Sequence, residues 1–462
     1  MPASSLASTA TPPAADATSA PRDGLQAGRL ASADYQRHFA DAHPPLTPAQ
    51  ALVEADRCYY CYDAPCQQAC PTGIDVPAFI HRIAQGNLRG AAQAILEANP
   101  LGGLCARVCP TEQLCEADCV RMAKEGKPVA IGLLQRHATD ALMSQPGAPL
   151  FSRAPETGRR IAVVGAGPAG LACAHGLARL GHAVDLYDAR AKLGGLNEYG
   201  LATYKTADDY AQREVDWLLS IGGITPHCDR LLGRDISLDG LLARYDAVFL
   251  GLGLAGVNAL GVAEPELPGV MNAVDFIAGL RQADPAQVPV GRRVVVVGGG
   301  MTAVDAAVQA KLLGAEEVSM VYRRGRENLS ASTEEQDWAL RNGVRLICWA
   351  APLALEAEGG RLTGMRFAYT HLQGGQLVQG KEQFSLAADM VLKAIGQSFV
   401  AAPVGTQLAL QGGRILTDAQ GRTSLARVWA GGDCRHGGQD LTVEAVEHGK
   451  RAAQSIHAAL SA

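Results

Sequence analysis

The sequence predicts an α/β protein: a helical, cysteine-rich N-terminal domain followed by two Rossmann-like dinucleotide-binding domains. Two observations carry this. A β-branched run leading into glycines and then an alanine-rich helix occurs at 160–170 and returns at 294–303. Eight of the 12 cysteines fall between Cys58 and Cys119, in a stretch whose apolar spacing is helical.

The chain has 462 residues, enough for about three domains on the usual prior. Apolar residues at 48% and charged residues at 19% describe an ordinary water-soluble globular composition. The net charge of −5 and the absence of any basic run argue against a nucleic-acid partner. The most apolar window, 247–263, is broken by four glycines and Asn258, so it reads as a strand and loop and not as a membrane span. The first thirty residues are rich in Ala, Ser, Pro and Thr. They lack the basic start and compact apolar block of a secretory signal. Residues 1–44 are therefore expected to be a disordered tail, with too little apolar surface to offset chain entropy, and the protein is expected in the cytoplasm.

The first block after the tail, 45–155, has helical stretches at 76–85 and 88–98, separated by Pro71-Thr72-Gly73 and Pro100-Leu101-Gly102 turns. Its cysteines form two groups. The first is Cys58-x2-Cys61-x4-Cys66-x3-Cys70-Pro71; the second is Cys105-x3-Cys109-Pro110-x4-Cys115-x3-Cys119. A 4Fe–4S cluster needs about four thiolates, from a compact group plus a distant ligand, and a proline after the last cysteine is typical of ferredoxin-type runs. Two groups make two such clusters the natural count. Zinc and disulfides are the alternatives. Zinc prefers paired knuckles, and only Cys58 and Cys61 have that spacing. Disulfides do not suit a cytoplasmic chain.

The second block opens on Ile161-Ala-Val-Val-Gly165-Ala-Gly167-Pro168-Ala169-Gly170. Gly165 permits the tight turn, Gly167 lets backbone approach a pyrophosphate, and Gly170 allows close helix–strand packing. The helix N-terminus then favours the phosphates. A second strand at 183–187 ends on Asp188, the expected acceptor for a ribose hydroxyl; otherwise Asp188 is a solvated strand-end acid. Two further segments suit FAD: Gly194-Gly195-Leu196, where backbone can bend around a flavin nucleotide, and Gly431-Gly432-Asp433 after the strand 428–430. Either is a plain turn when taken alone.

The third block repeats the pattern as Val294-Val-Val-Val-Gly298-Gly299-Gly300-Met301-Thr302-Ala303, with Ala303 in place of the third glycine. No acid ends its second strand. Arg323-Arg324 stand there instead, which suits the 2′-phosphate of NADPH; a solvated basic loop is the alternative, and the choice between NADH and NADPH stays open.

Four segments identify a family: Arg57-Cys-x2-Cys61-x4-Cys66-x3-Cys70-Pro71, Asn99-Pro-Leu-Gly102, Gly194-Gly-Leu-Asn197 and Thr442-Val-Glu-Ala-Val-Glu-His-Gly-Lys450. From about Pro45 to the end the chain resembles the flavoproteins comprising the small subunit of glutamate synthase and the N-terminal half of dihydropyrimidine dehydrogenase. Its strongest resemblance is to the separate bacterial dihydropyrimidine dehydrogenase subunit that carries FAD and iron–sulfur clusters. The resemblance implies that FAD fills the first nucleotide domain, in parts 156–288 and 389–462, with the NAD(P) domain, 289–388, inserted between them. It implies that Cys58, Cys61, Cys66 and Cys119 hold one cluster. Cys70, Cys109 and Cys115 hold the other, with the Gln135 amide oxygen as fourth ligand, which leaves Cys105 spare. Without the resemblance Gln135 reads as a surface helix residue. Lys205 stands where relatives place a basic residue near the flavin, although the wording around it departs from theirs, and Thr442 joins the FAD contacts. Ser330 stands where the NADPH-using pyrimidine enzyme has arginine, which weakens the case for NADPH.

The expected function is electron input. NAD(P)H reduces FAD, and two clusters lead the electrons to a partner subunit. By resemblance that partner holds FMN and further clusters, forms a heterotetramer with this chain, and reduces uracil or thymine to the 5,6-dihydro form. No residue of this chain is expected to act as acid or base in the pyrimidine chemistry. The first alternative is the small subunit of glutamate synthase. The second is an electron-transfer subunit with relic nucleotide sites, against which both intact glycine loops argue.

Overall fold

The structure is a computed structural model and describes residues 30–144 and 149–461. In the N-terminal domain, helices Pro48–Ala55, Val76–Ala84, Leu88–Ala98 and Ile131–Met143 surround a core of Phe79, Ile80, Ile83, Ile95, Leu96 and Leu134, while Leu104 of helix Gly102–Val108 packs with Tyr210 and Ala211 of the next domain. Their starts are written in the sequence. Thr47 and Gln50 form a reciprocal capping box, and Asp75 and Asn87 cap the next two helices. The cysteine runs occupy the loops and short turns between these helices.

The first nucleotide domain is a five-stranded parallel sheet. Its order is Val428–Ala430, Ala247–Leu250, Arg160–Val164, Ala183–Tyr187, Ile224–His227. Strand Arg160–Val164 is exposed only at its first residue, as a central parallel strand covered on both faces should be. The second domain repeats the design with Val270–Asn272, Met390–Lys393, Arg293–Val297, Glu317–Val321 and Arg345–Ile347. A three-stranded antiparallel sheet spans Ala350–Glu358, Arg361–Gln373 and Gln376–Ala387. Because Val428–Ala430 pairs with Ala247–Leu250, the second domain is inserted within the first. The two linkers run side by side, pairing Gly256–Val257 with Gln397–Ser398.

Two expectations need correction. Residues 1–29 of the expected tail lie outside the described residues, but 30–44 is ordered. Helix Ser32–His38 buries Tyr35 in the core of the inserted domain, and His38 Nδ1 lies 2.9 Å from the Leu312 carbonyl. The Ala42 amide donates to the Tyr204 carbonyl at 3.0 Å, and the Arg136 guanidinium reaches Asp41 at 2.5 Å and the His43 carbonyl at 2.7 Å. The segment has too little apolar surface to fold by itself, and it is ordered because Leu30, Tyr35, Phe39 and Ala42 pack on the core of the inserted domain. The expected boundaries at 288/289 and 388/389 both cut the second sheet. Its edge strand Val270–Asn272 is only three residues long, too short to carry a periodic signal, and Met390–Lys393 lies beyond the antiparallel insertion.

Candidate functional site

In the first glycine loop, a Cβ on Gly165 would meet the Gly251 carbonyl oxygen at 2.2 Å, and its φ of +95° already favours glycine. A Cβ on Gly170 would lie 1.8 Å from the Gly165 carbonyl oxygen. The Gly194-Gly195 segment lies backbone against backbone on this loop. The Gly194 amide donates to the Ala166 carbonyl at 2.8 Å, and a Cβ on Gly195 would meet Gly167 Cα at 2.6 Å. Helix Pro168–Arg179 begins with Pro168 and Ala169 and has no side-chain cap, so its first amides are left for a phosphate. Leu196 opens the short helix Leu196–Tyr199 and is partly exposed.

Asp188 is buried at the strand end. Its Oδ2 accepts from the Ala166 amide at 2.7 Å and its Oδ1 from the Arg190 amide at 2.8 Å. Burial pushes its pKa up, against these two bonds. The carboxylate holds the glycine loop, and each oxygen keeps a second lone pair for a ribose hydroxyl.

The C-terminal segment packs on the same loop: a Cβ on Gly432 would lie 3.1 Å from Ala169 Cβ. Asp433 is pushed up to about 6 by burial and by Asp440. The Gly432 amide donates to His448 Nδ1 at 3.3 Å, and burial drives His448 down to about 4, keeping it neutral and able to accept. The Thr442 hydroxyl donates to Asn197 Oδ1 at 3.1 Å, while the Asn197 Nδ2 is buried without a partner among the described residues. An orphaned buried donor beside a backbone cradle fits a dinucleotide that supplies the acceptor. Gly449 escaped the sequence reading. A Cβ there would meet the Ala169 carbonyl oxygen at 2.1 Å, so helix Thr442–Ser461 seats on the first turn of the phosphate helix. Its signals were a glycine inside an otherwise helical run and its place in the Thr442–Lys450 segment.

In the second loop, a Cβ on Gly298 would meet the Ala394 carbonyl oxygen at 2.1 Å, and one on Gly299 would meet the Tyr322 ring and Leu329 at 2.6 Å. Beside Gly300 a Cβ would face only Ser330 Oγ, at 3.2 Å. Met301 and Thr302 form the first turn of helix Met301–Leu312 and are partly exposed; Ala303 is fully buried, which is why a small residue is needed there. Arg323 and Arg324 are exposed just past the second strand.

Lys205 stands where the two nucleotide domains meet. Its ammonium lies 2.7 Å from both Asp305 and Glu335 of the inserted domain. Burial works against its charge, but the two carboxylates outweigh burial and hold its pKa above the ordinary value. Asp305 and Gln309 also accept from the Ala202 and Thr203 amides, at 3.3 and 3.0 Å. Sequence reasoning missed Asp305, Gln309 and Glu335; the available signal for the first two was polar residues on the buried face of the alanine-rich helix Met301–Leu312, whereas Glu335 lies on helix Thr333–Arg341, whose acidic first turn reads as ordinary surface.

None of the twelve cysteines forms a disulfide. Cys58, Cys61, Cys66 and Cys119 line one pocket floored by Val76, Pro77 and Ile80. Burial pushes the Cys66 thiol up to about 12, with Cys119, Cys58 and Cys61 as negative neighbours. A second group converges around Cys109. Its thiol is raised first by a hydrogen bond with Cys105, then by burial, and it feels Cys105, Cys115 and Cys70. Buried thiols of this kind stay neutral until positive charge reaches them, and among the described residues no three His, Cys, Asp or Glu side chains stand close enough together to hold a metal ion. The Gln135 side chain is buried on helix Ile131–Met143. Its Nε2 donates to the Gly102 carbonyl at 2.6 Å, so the amide oxygen is the side-chain atom still able to accept.

The second cysteine group abuts the first nucleotide domain. Leu101 packs in that domain's core. Glu214 Oε1 accepts from the Gly103 and Leu104 amides at 2.9 and 3.1 Å, capping helix Gly102–Val108; burial pushes its pKa up to about 8. Glu116, pushed to about 7 by burial, accepts from the Gly132 amide at 3.0 Å and anchors the Gln135 helix beside Cys115. Neither acid was singled out from the sequence, because both act by capping backbone groups of other segments.

Two family models match this geometry. Residues 35–146 match dihydropyrimidine dehydrogenase domain II, 4Fe-4S cluster, and residues 159–449 match pyridine nucleotide-disulphide oxidoreductase. The chain belongs to the pyridine nucleotide-disulphide oxidoreductase family. Within that family it is 34% identical to the NAD-dependent dihydropyrimidine dehydrogenase subunit PreT of Escherichia coli K12, over 91% of this chain and 97% of that one. It is 32% identical to the E. coli K12 glutamate synthase [NADPH] small chain, over 90% and 93%. Among solved structures it is similar in fold to Mycobacterium tuberculosis FprA in complex with NADPH (19% identity, TM-score 0.56, 67% of this chain and 85% of that one). It is also similar in fold to T. acidophilum thioredoxin reductase (19% identity, TM-score 0.53, 66% of this chain and 100% of that one). As a member of this pyridine nucleotide-disulphide oxidoreductase family, the protein is an oxidoreductase whose cofactors are FAD, 4Fe–4S clusters and NAD(P)H. No helix among the described residues is long and apolar enough to cross a membrane.

Proposed function

We propose that this chain is the electron-input subunit of a cytoplasmic dihydropyrimidine dehydrogenase, acting on a CH–CH bond through a partner. The observation that carries the reading is the second cysteine group seated against the flavin domain, with the buried Gln135 amide turned on Gly102. FAD bound in the first domain would take a hydride from NAD(P)H and release electrons singly, as the clusters require. The chain's own residues do the positioning. The two glycine loops admit the pyrophosphates, Asp188 orients one loop and a ribose, and Lys205 with Asp305 ties the two nucleotide domains together. Cys58, Cys61, Cys66 and Cys119 would hold one cluster; Cys70, Cys109, Cys115 and Gln135 would hold the other, nearer the flavin domain. The partner would carry FMN and further clusters and reduce uracil or thymine, in a heterotetramer. The second reading, a glutamate synthase small subunit, has support from a relative of that name at 32% identity.

The test is uracil-dependent oxidation of NADH and of NADPH by the anaerobic protein mixed with an FMN and iron–sulfur pyrimidine-reducing subunit. Turnover is expected, and the better substrate names the nicotinamide cofactor, for which the exposed Arg323 and Arg324 favour NADPH and Ser330 does not. Flavin reduction without any effect of uracil would turn the reading to glutamate synthase. Gln135→Ala is expected to alter the electron paramagnetic resonance signal of one cluster and leave the other unchanged. Two unchanged signals would remove Gln135 from the ligands.

A further inference from the structure

Residues 30–44 touch all three domains, with contacts of a different kind at each end. On the inserted domain the contacts are apolar. Leu30, Tyr35, Phe39 and Ala42 pack on its core, and the His43 ring lies 6.3 Å, centre to centre, from the Trp338 ring. On the helical domain they are charged. Arg136 holds Asp41 and the His43 carbonyl, and its Nε lies 3.2 Å from Asp140. Asp140 in turn accepts from Arg107 at 2.6 Å, and the Arg107 guanidinium stands 3.4 Å over the Tyr210 ring of the flavin domain. The two arginine side chains are 4% and 7% exposed, so little water competes with these pairs. The inserted domain needs such a tie. It hangs on two linkers that pair over two residues each, with Gly253 and Gly396 beside the pairing at φ of +61° and +93°. So short a ribbon is a hinge, and domains joined by one move unless a further contact holds them.

We propose that this strap positions the nicotinamide-binding domain for hydride transfer, with Tyr35, His38 and Asp41 as positioning residues. The proposal rests on the reading that NAD(P)H reduces FAD in the first domain. The strap acts through helix Met301–Leu312. The first turn of that helix follows the second glycine loop, and Asp305 and Gln309 at its middle hold Lys205 and the Ala202 and Thr203 amides. The strap grips its far end, where His38 Nδ1 lies 2.9 Å from the Leu312 carbonyl. A helix of this length spans about 18 Å, so a tilt of about 5° moves the nucleotide end by about 1.5 Å. A misplacement of about 1 Å, even from a distant change, can cost about a hundredfold in rate. Asp41 transmits the attitude of the helical domain to this helix, and Tyr35 and Phe39 supply the apolar grip.

The experiment uses the loaded full-length chain and three changes: Tyr35→Ser combined with Phe39→Ser, Asp41→Ala, and the conservative Asp41→Glu. Arg37→Ala is the control, since Arg37 is exposed on the same helix and pairs with Asp34 within it. Four quantities are read: flavin and iron content, the dissociation constants of NAD+ and NADP+, the limiting rate of flavin reduction by NADH and NADPH in stopped flow, and hydrogen exchange. The limiting rate should fall at least tenfold in the Tyr35/Phe39 variant and at least threefold in Asp41→Ala. It should return to within twofold of wild type in Asp41→Glu and match wild type in Arg37→Ala. Cofactor content and dissociation constants should stay within twofold, while exchange rises in the linkers, 253–258 and 394–398. A limiting rate unchanged or raised in both strap variants overturns the proposal. So does a loss of nucleotide binding in step with the rate, with faster exchange in strand Arg293–Val297, because the strap would then only stabilise the inserted domain's core. A wild-type flavin that neither NADH nor NADPH reduces sinks the electron-input reading first, before any variant is compared, and the strap's role in hydride transfer with it.

Discussion

Gly170→Ala is expected to yield a chain that retains no FAD. The added Cβ would lie 1.8 Å from the Gly165 carbonyl oxygen and 3.0 Å from its carbon. Both are backbone atoms of the loop that must cradle the pyrophosphate, so no side chain can rotate away. Lifting helix Pro168–Arg179 is the remaining relief. That helix is clamped from the other side by Gly449, where there is no room for a Cβ against Ala169. Overpacking of well-packed cores costs about 1–3 kcal/mol, and a backbone clash of this depth belongs at or above the upper end. The measurement is the flavin-to-protein ratio after gel filtration, with thermal unfolding alongside. Gly279→Ala supplies the contrast. Gly279 lies in helix Ala273–Arg281 with open space around its Cβ position, and alanine there should keep FAD and raise stability by up to about 1 kcal/mol. Full flavin content in Gly170→Ala would show that the phosphate helix tolerates displacement and that the loop geometry does not control binding.

Cys119→Ser is expected to remove one cluster outright. Although Cys119 closes the second cysteine group in sequence, it shares its pocket with Cys58, Cys61 and Cys66 of the first. Iron and labile sulfide should fall to about half of the wild-type content, as loss of one of two cubane clusters requires. Uracil-dependent turnover should fall to background, while flavin reduction by NAD(P)H persists, because the nucleotide domains are separate units. The same variant should unfold at lower temperature. Cys58, Cys66, Cys70, Cys115 and Cys119 all pack against the helical core, so cluster binding there is also folding free energy. Cys105→Ser is the matched comparison. Cys105 is buried beside Cys109 and is not among the expected ligands, so iron content should stay near wild type. Equal iron loss in both variants would require the ligand sets to be redrawn.

What was legible in the sequence was whatever chemistry imposes locally. Gly165, Gly170 and Gly298 are glycine because a carbonyl oxygen lies where a Cβ would be, and the strand–glycine–helix pattern records this within a dozen residues. Spacing favoured iron–sulfur over zinc knuckles for the two cysteine groups, and proline–glycine turns marked the breaks between the helices. Lys205 and Gln135 came only through family resemblance, since their own neighbourhoods carry no distinguishing pattern.

The sequence by itself determined the fold class, the two nucleotide loops and the cysteine inventory, because each depends on backbone freedom or ligand type over a short span. Only the tertiary structure decided how these parts are joined. It folded 30–44 into a strap with Tyr35 buried in the inserted domain, moved the domain boundaries to the edges of the second sheet, and set Asp305 and Glu335 around Lys205. It also put Glu214 on the helix Gly102–Val108, joining the flavin domain to the second cysteine group. Each of these contacts links residues far apart in the chain through burial or a single carboxylate. No periodicity along the sequence records such a contact; its energy exists only once the domains have packed.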